Sequence, residues 1–281
     1  MNNRKSRIRG YLLAGLWPAG EAAIAAATVT AVRRASRDNV SRRRDGGARP
    51  GLPHLAHLPD WVPDLVGLGV VTGAGGALAY KVMELLGPAV INQGPVIDEP
   101  IHRWTVGHQV KWWGGVMERL TKIGNSQTIL GAAGTAAATL AIAWPQRKWV
   151  PPAALGTAVL VEKYVTVALR RRFDRLGPPG SPGGTYPSGG VDRVVFFYGL
   201  IAYLVWREFS GSPQGKAWAI GAVAVLSFNE AYSREYLSKH WFSDILGGLL
   251  YGAILLAPSI AAVRLVAGPA VPAATSQEGM R

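Results

Sequence analysis

Long uncharged stretches alternate with short charged ones along most of this chain. Gly124–Trp144 runs 21 residues and Ile245–Val263 runs 19 without Asp, Glu, Lys or Arg. A hydrocarbon layer about 30 Å thick is crossed by about 20 helical residues, so each stretch predicts a transmembrane helix. Leu65–Tyr80 is also uncharged, and its helix can continue past Lys81 and Glu84 toward Val90. Trp149–Val161, Val194–Trp206 and Ala217–Asn229 have 13 residues each, too few to span alone. Each is prolonged at one end by a charged segment: Glu162–Arg175, Asp192–Arg193 and Glu230–Arg234. Charge at membrane depth faces a bundle interior or a wet cavity. The pattern predicts six spans, several of them ending in one polar pocket.

The first 60 residues differ. Gly10–Val32 is apolar but carries Pro18 and Glu21, which suits either a seventh span or a helix lying in the interface. Arg33–Arg44 holds six arginines and predicts a flexible basic arm on an anionic cytoplasmic leaflet. Segment 96–123 mixes Trp104, Trp112 and Trp113 with Arg103, Lys111 and Arg119, as expected of a helix in the outer interface. The expected fold class is therefore all-α. It is an integral membrane helical bundle of six transmembrane helices plus an N-terminal interfacial or extra transmembrane helix. Its domains are 1–60 (helix and basic arm), 61–268 (six-helix membrane domain) and 269–281 (disordered tail).

Composition narrows the function. Of 281 residues 49% are apolar and none is cysteine, which excludes thiol chemistry and disulfides. The apolar residues are gathered in runs instead of spread as a soluble core, so a soluble globular enzyme is not expected. The net charge of +13 suits an anionic membrane face or a phosphorylated substrate. Nucleic acid is not expected, because no recognised module accompanies the charge. Placing the arginine arm inside puts 92–123, 170–193 and 233–243 outside, in a cell membrane. With Lys81 and Lys163 at the adjoining span ends, 13 of the 30 Lys and Arg then fall on the side where they should be scarce. An anion-binding site facing outward accounts for that excess.

Three clusters sit at the outer ends of the last four spans. Lys163 and Arg170 are seven residues apart, so both project from one helix face about 10 Å apart along its axis. Tyr186-Pro187-Ser188-Gly189-Gly190 follows a Gly/Pro-rich turn, and such a loop can bring amides and a hydroxyl to one anion. Ser233-Arg234 is followed by His240 and, four residues on, Asp244. If the last helix starts near Lys239, His240 and Asp244 share its first turn, and the carboxylate can fix the imidazole tautomer. Arg234 has a plainer option too, an ion pair with Glu230 one turn earlier.

The order Lys-x6-Arg, Pro-Ser-Gly, Ser-Arg-x5-His-x3-Asp resembles the phosphatidic acid phosphatase type 2 superfamily, over roughly residues 65–265. The third motif matches throughout. In the first, Arg171 stands where a proline usually follows. In the second, Gly190 stands where the family has histidine. The resemblance implies that Lys163, Arg170, Ser188, the Gly189 amide and Arg234 hold phosphate, that His240 attacks phosphorus, and that Asp244 orients it. It implies a metal-independent lipid phosphatase with no cofactor, acting on a lipid phosphate or polyprenyl diphosphate. Three cations and a loop of donors suffice for phosphoryl transfer. A lipid phosphotransferase using the same phosphohistidine, or a catalytically weak lipid-phosphate-binding protein, is the alternative. A haloperoxidase shares the motifs but not the six spans, and a transporter has no need of an oriented nucleophile.

The residue replaced by Gly190 is the family's general acid, whose contribution is about 10²–10⁴-fold. Either the leaving group is itself a phosphate and protonation matters less, or another acid substitutes, or the enzyme is weak or inactive and its pocket serves to bind lipid phosphate. Asp192, Tyr186, His102 and His108 lie on the expected outer side; His54 and His57 fall in the inner linker.

Overall fold

A computed structural model describes residues 61–181 and 183–268. Gly10–Val32, the arginine arm, His54, His57 and the tail 269–281 lie outside the described residues. The chain divides into two compact units, Met1–Val70 and Val71–Arg281. Only residues 61–70 of the first are described, the opening turns of a helix, and the second unit carries the rest.

The described residues form seven helices and no strand: α1 Trp61–Gly107, α2 Lys111–Leu120, α3 Ser126–Ala143, α4 Val150–Phe173, α5 Gly189–Phe209, α6 Pro213–Tyr236 and α7 Phe242–Ala267. Short 3₁₀ turns, Thr121–Gly124 and Pro145–Arg147, precede α3 and α4. A π-helical turn, Val194–Tyr198, interrupts α5. The chain is a multi-pass membrane protein with an all-helical bundle. Large apolar side chains point away from the protein: Leu85, Ile142 and Trp218 are 79%, 82% and 81% exposed, as lipid-facing positions require.

Two expectations change. The first span does not stop near Val90. α1 has 47 residues, about 70 Å of helix, far more than a bilayer core demands. It absorbs residues 96–107, so the single interfacial helix expected over 96–123 is split, and only α2 is separate. Pro88, Pro95 and Pro100 lie inside α1, and Asp98 is buried on one side of it. Periodicity within the uncharged window could not reveal that continuation. Second, among the described residues five helices, not six, are long and apolar enough to cross a membrane: α1, α3, α4, α5 and α7. α6 has 24 residues but is polar at both ends, with Lys216 near its start and Glu230, Arg234 and Glu235 near its end.

Glycines set how closely these helices approach. A Cβ at Gly76 would lie 2.5 Å from Val161, and one at Gly248 or Gly252 would lie 2.7 or 2.6 Å from the carbonyl oxygens of Ser188 and Asp192. The Gly248-x3-Gly252 stripe thus lets α7 rest backbone to backbone on the start of α5. Connections alternate, so the C-terminal ends of α4 and α6 meet the N-terminal ends of α3, α5 and α7 at one end of the unit.

Candidate active site

Local folding delivers the histidine. α6 ends in a Schellman motif: the Ser238 amide donates to Glu235 O at 2.9 Å and the Lys239 amide to Arg234 O at 3.0 Å, with Ser238 left-handed at φ 52°. The chain turns back there and presents His240 just before α7. His240 is buried, 8% exposed, and its Nδ1 lies 3.0 Å from the Thr185 carbonyl. A carbonyl only accepts, so Nδ1 carries the proton and Nε2 is left with its lone pair. Burial pushes the imidazole below its ordinary pKa of 6.5. The Asp244 carboxylate opposes that shift, and the charges of Arg234 and Arg170 reinforce it. A neutral imidazole with a free Nε2 is what a nucleophile needs.

Asp244 does not sit where the i,i+4 argument put it. α7 begins at Phe242, so His240 precedes the helix and stands 3.8 Å from Asp244 Oδ2. Asp244 instead accepts the Trp241 amide at 3.1 Å, capping α7, and pairs with Arg175. Arg175 is 8% exposed and also binds Asp98 of α1 at 2.7 Å; Asp98 in turn takes the Ser243 amide at 2.8 Å. Ser188 belongs to the same frame, since its amide donates to Asp244 O at 3.0 Å. This Asp98–Arg175–Asp244 chain was not foreseen. The surplus of basic residues outside was its only trace in the sequence.

A cavity of about 340 Å³ opens beside His240, lined by Asn125, Ser126, Gln127, Arg170, Gly190, Arg193, Arg234 and His240. Arg170 reaches it by lying against Gly189, where a Cβ would stand 2.5 Å from its Nη2. Among the buried side-chain atoms without a hydrogen-bond partner, Arg170 Nε and Ser188 Oγ lie at this end, as do Thr121 Oγ1 and Glu230 Oε2. A buried donor left open in this way is completed by a ligand or by water. Arg193 binds Glu162 at 2.9 Å and Arg234 binds Glu230 at 2.6 Å. A larger groove of about 480 Å³ runs between Val106–Gly114 and Tyr236–Ser238, but Lys111 is the one cation lining it. It holds none of the chemistry described above.

Residues 151–266 match the family model of the PAP2 superfamily. This stretch of the chain is a PAP2 domain. The transmembrane PAP2 type phosphatidylglycerolphosphate phosphatase from Bacillus subtilis is a similar solved structure: 23% identical, covering 64% of this chain and 92% of that one, TM-score 0.57. Likeness at that identity shows a shared fold. No curated protein matches the chain.

Of the PAP2 motif residues, Arg170, Arg234 and His240 line the cavity, Ser188 and Gly189 are buried at the same end without lining it, and Asp244 stands behind them. Lys163 does not join them. It is exposed and absent from the cavity wall, because two turns of α4 carry it about 10 Å down the axis from Arg170. Arg193, two residues into the charged start of α5, supplies a third cation in its stead. Nor do the candidate substitute acids reach the cavity. Asp192 is fully buried, its Oδ2 3.5 Å from the Thr166 hydroxyl. Tyr186 is packed on Phe173 and Gly247, and burial, then the Asp244 charge, pushes its phenol up to about 12. His102 lies 3.9 Å from Glu235, edge-on to Trp241, and His108 stacks on Trp104; neither lines the cavity. Asn125–Gln127, at the N-terminus of α3, line it without having been singled out. Their place follows from helix order in space.

Proposed function

We propose that this PAP2 domain is a membrane lipid phosphatase that removes phosphate from a lipid phosphate or polyprenyl diphosphate through a phosphohistidine on His240. The observation that carries the reading is the pair of unsatisfied buried donors, Ser188 Oγ and Arg170 Nε, at the same end as an uncharged imidazole whose Nε2 is free. A phosphoryl group is an acceptor for both. In the first step Nε2 bonds to phosphorus and the P–O bond to the leaving group breaks, its electron pair leaving with that oxygen. In the second, water attacks phosphorus, the P–N bond breaks, and inorganic phosphate departs.

Arg170, Arg193 and Arg234 neutralise charge on the equatorial oxygens, and Arg170 and Ser188 fix their direction. Gly190 donates no proton, and neither Asp192 nor Tyr186 lines the cavity. That favours a substrate whose leaving group is a phosphate, because a phosphate departs without prior protonation. The surplus of cations at this end supports an outward-facing site, with the arginine arm 33–44 on the inner, anionic leaflet.

Phosphate release in detergent or liposomes tests the reading, with phosphatidic acid, phosphatidylglycerol phosphate and undecaprenyl diphosphate as substrates. The diphosphate is turned over fastest, and His240→Ala abolishes turnover of all three. Equal turnover of the monoesters removes the leaving-group argument. Lipid-phosphate binding without turnover by the unaltered protein removes the enzymatic reading itself.

A further inference from the structure

The volume that a histidine at 190 would enter is already filled. A Cβ built on Gly190 would lie 2.5 Å from Glu230 Oε1 and 2.6 Å from Arg234 Nε, and would also strike Arg234 Nη2. Glu230 is fully buried on α6 and accepts from Arg234 Nε at 2.6 Å. The Gly124 amide donates to the same carboxylate, and a Cβ at Gly124 would strike Glu230 Oε1 and stand 2.5 Å from Gly190 O. Two glycines from different segments therefore clear one slot, and a carboxylate–guanidinium pair occupies it. The remaining Arg234 contacts, to Thr121 O and Asn125 Oδ1, are both 3.3 Å and weak.

We propose that Glu230 is a positioning residue that pins the Arg234 guanidinium over Gly190, and that glycine at 190 is required by this pair. With glycine at 190 the site has no proton donor there and holds a fixed cation instead. The proposal rests on the reading above, that Arg234 faces the phosphoryl group. A buried carboxylate without its cation is costly and a guanidinium without its carboxylate is mobile, so each half of the pair makes the other useful. Fixing a planar fork before the substrate arrives removes the rotamer entropy that binding would otherwise have to overcome.

A double-mutant cycle tests it, read by kcat and KM on the best lipid phosphate and by binding of orthovanadate, which mimics the phosphoryl group without turnover. Gly190→Ala pushes a methyl into the pair and weakens kcat/KM and vanadate binding by about tenfold or more. Glu230→Ala releases Arg234 and does the same, chiefly through KM. Glu230→Gln keeps an acceptor for Nε and stays within about threefold of the unaltered protein, a rescue that simple loss of packing would not show. In the Glu230→Ala background the methyl at 190 has little further effect, because the guanidinium can move aside. Gly190→Ala needs no change at 230, so it decides alone should Glu230→Ala fail to fold. An unaltered protein that neither releases phosphate nor binds vanadate overturns the reading on which this rests. An active protein in which Gly190→Ala is harmless, or in which the two losses simply multiply, overturns this inference and leaves that reading standing.

Discussion

The two ends of the bundle both bury arginine, to opposite purposes. At the end away from His240, Arg207 is 6% exposed and gives Nη1 to Gly268 O and Nη2 to Ala267 O, both at 2.7 Å. Its guanidinium also lies over Trp144 at 5.3 Å, and Arg147 donates to Val266 O. These contacts take up the carbonyls that every helix C-terminus leaves unpaired, and they favour a cation at the negative end of the dipole. At the other end Ser188 Oγ is buried without a partner, and Arg170 lines the open cavity beside His240. The same residue type closes a helix in one place and faces a cavity in the other. The difference is whether the protein itself supplies the acceptors. Burial and charge alone do not separate structural arginines from binding ones.

The contrast can be broken by substitution. The largest effect is expected at His240→Ala, a loss of about 10³-fold or more in phosphate release with little change in melting temperature, since one polar contact to Thr185 is lost. Ser188→Ala comes next, about 10- to 100-fold in kcat/KM with unchanged or slightly raised stability, because its hydroxyl makes no bond in the free protein. Arg207→Ala should do the reverse, lowering unfolding stability by about 2–4 kcal/mol while kcat/KM stays within twofold or so. An Arg207 variant that lost activity without losing stability would end the comparison.

Acid provides a milder probe. Protonation of His240 removes the nucleophilic lone pair, so kcat/KM falls as pH drops. Burial lowers its pKa, so the midpoint of that acid limb lies below 6.5, and activity persists into mildly acidic buffer. A limb centred above 6.5 would mean that the Asp244 charge outweighs burial. The smallest effect concerns the turn that presents the histidine. Ser238→Gly relieves the left-handed backbone and should stabilise by about 0.5–1 kcal/mol, read as a small rise in melting temperature.

Much of this was legible in the chain. Uncharged runs located α3 and α7 closely, and the charged extensions of the shorter runs announced that α4, α5 and α6 end in a polar place. Arg170, Ser188, Arg234 and His240 come to one end of the bundle because their spacing places each at a helix end on one side. Where the linear argument failed, it did so through periodicity. Lys163 shares a face with Arg170, yet a face is 10 Å tall over seven residues, and the cavity is not. His240 and Asp244 were read as helical neighbours, but the helix starts two residues after the histidine, so the tautomer contact falls to a Thr185 carbonyl that no side-chain pattern can signal.

The amino-acid sequence by itself determined that the chain crosses a membrane, that its cations concentrate at one set of helix ends, and that an imidazole and arginines recur there in an order shared with PAP2 proteins. These are properties of composition and spacing, which survive without knowledge of packing. Only the tertiary structure decided which cations face the cavity, that Arg175 ties Asp98 to Asp244, and that Gly124 and Gly190 leave room for Glu230 and Arg234. Each of those depends on segments dozens of residues apart meeting within hydrogen-bond reach. Distance between such segments is fixed by how closely helices pack, a quantity set by glycines acting in pairs across helices and invisible to either helix alone.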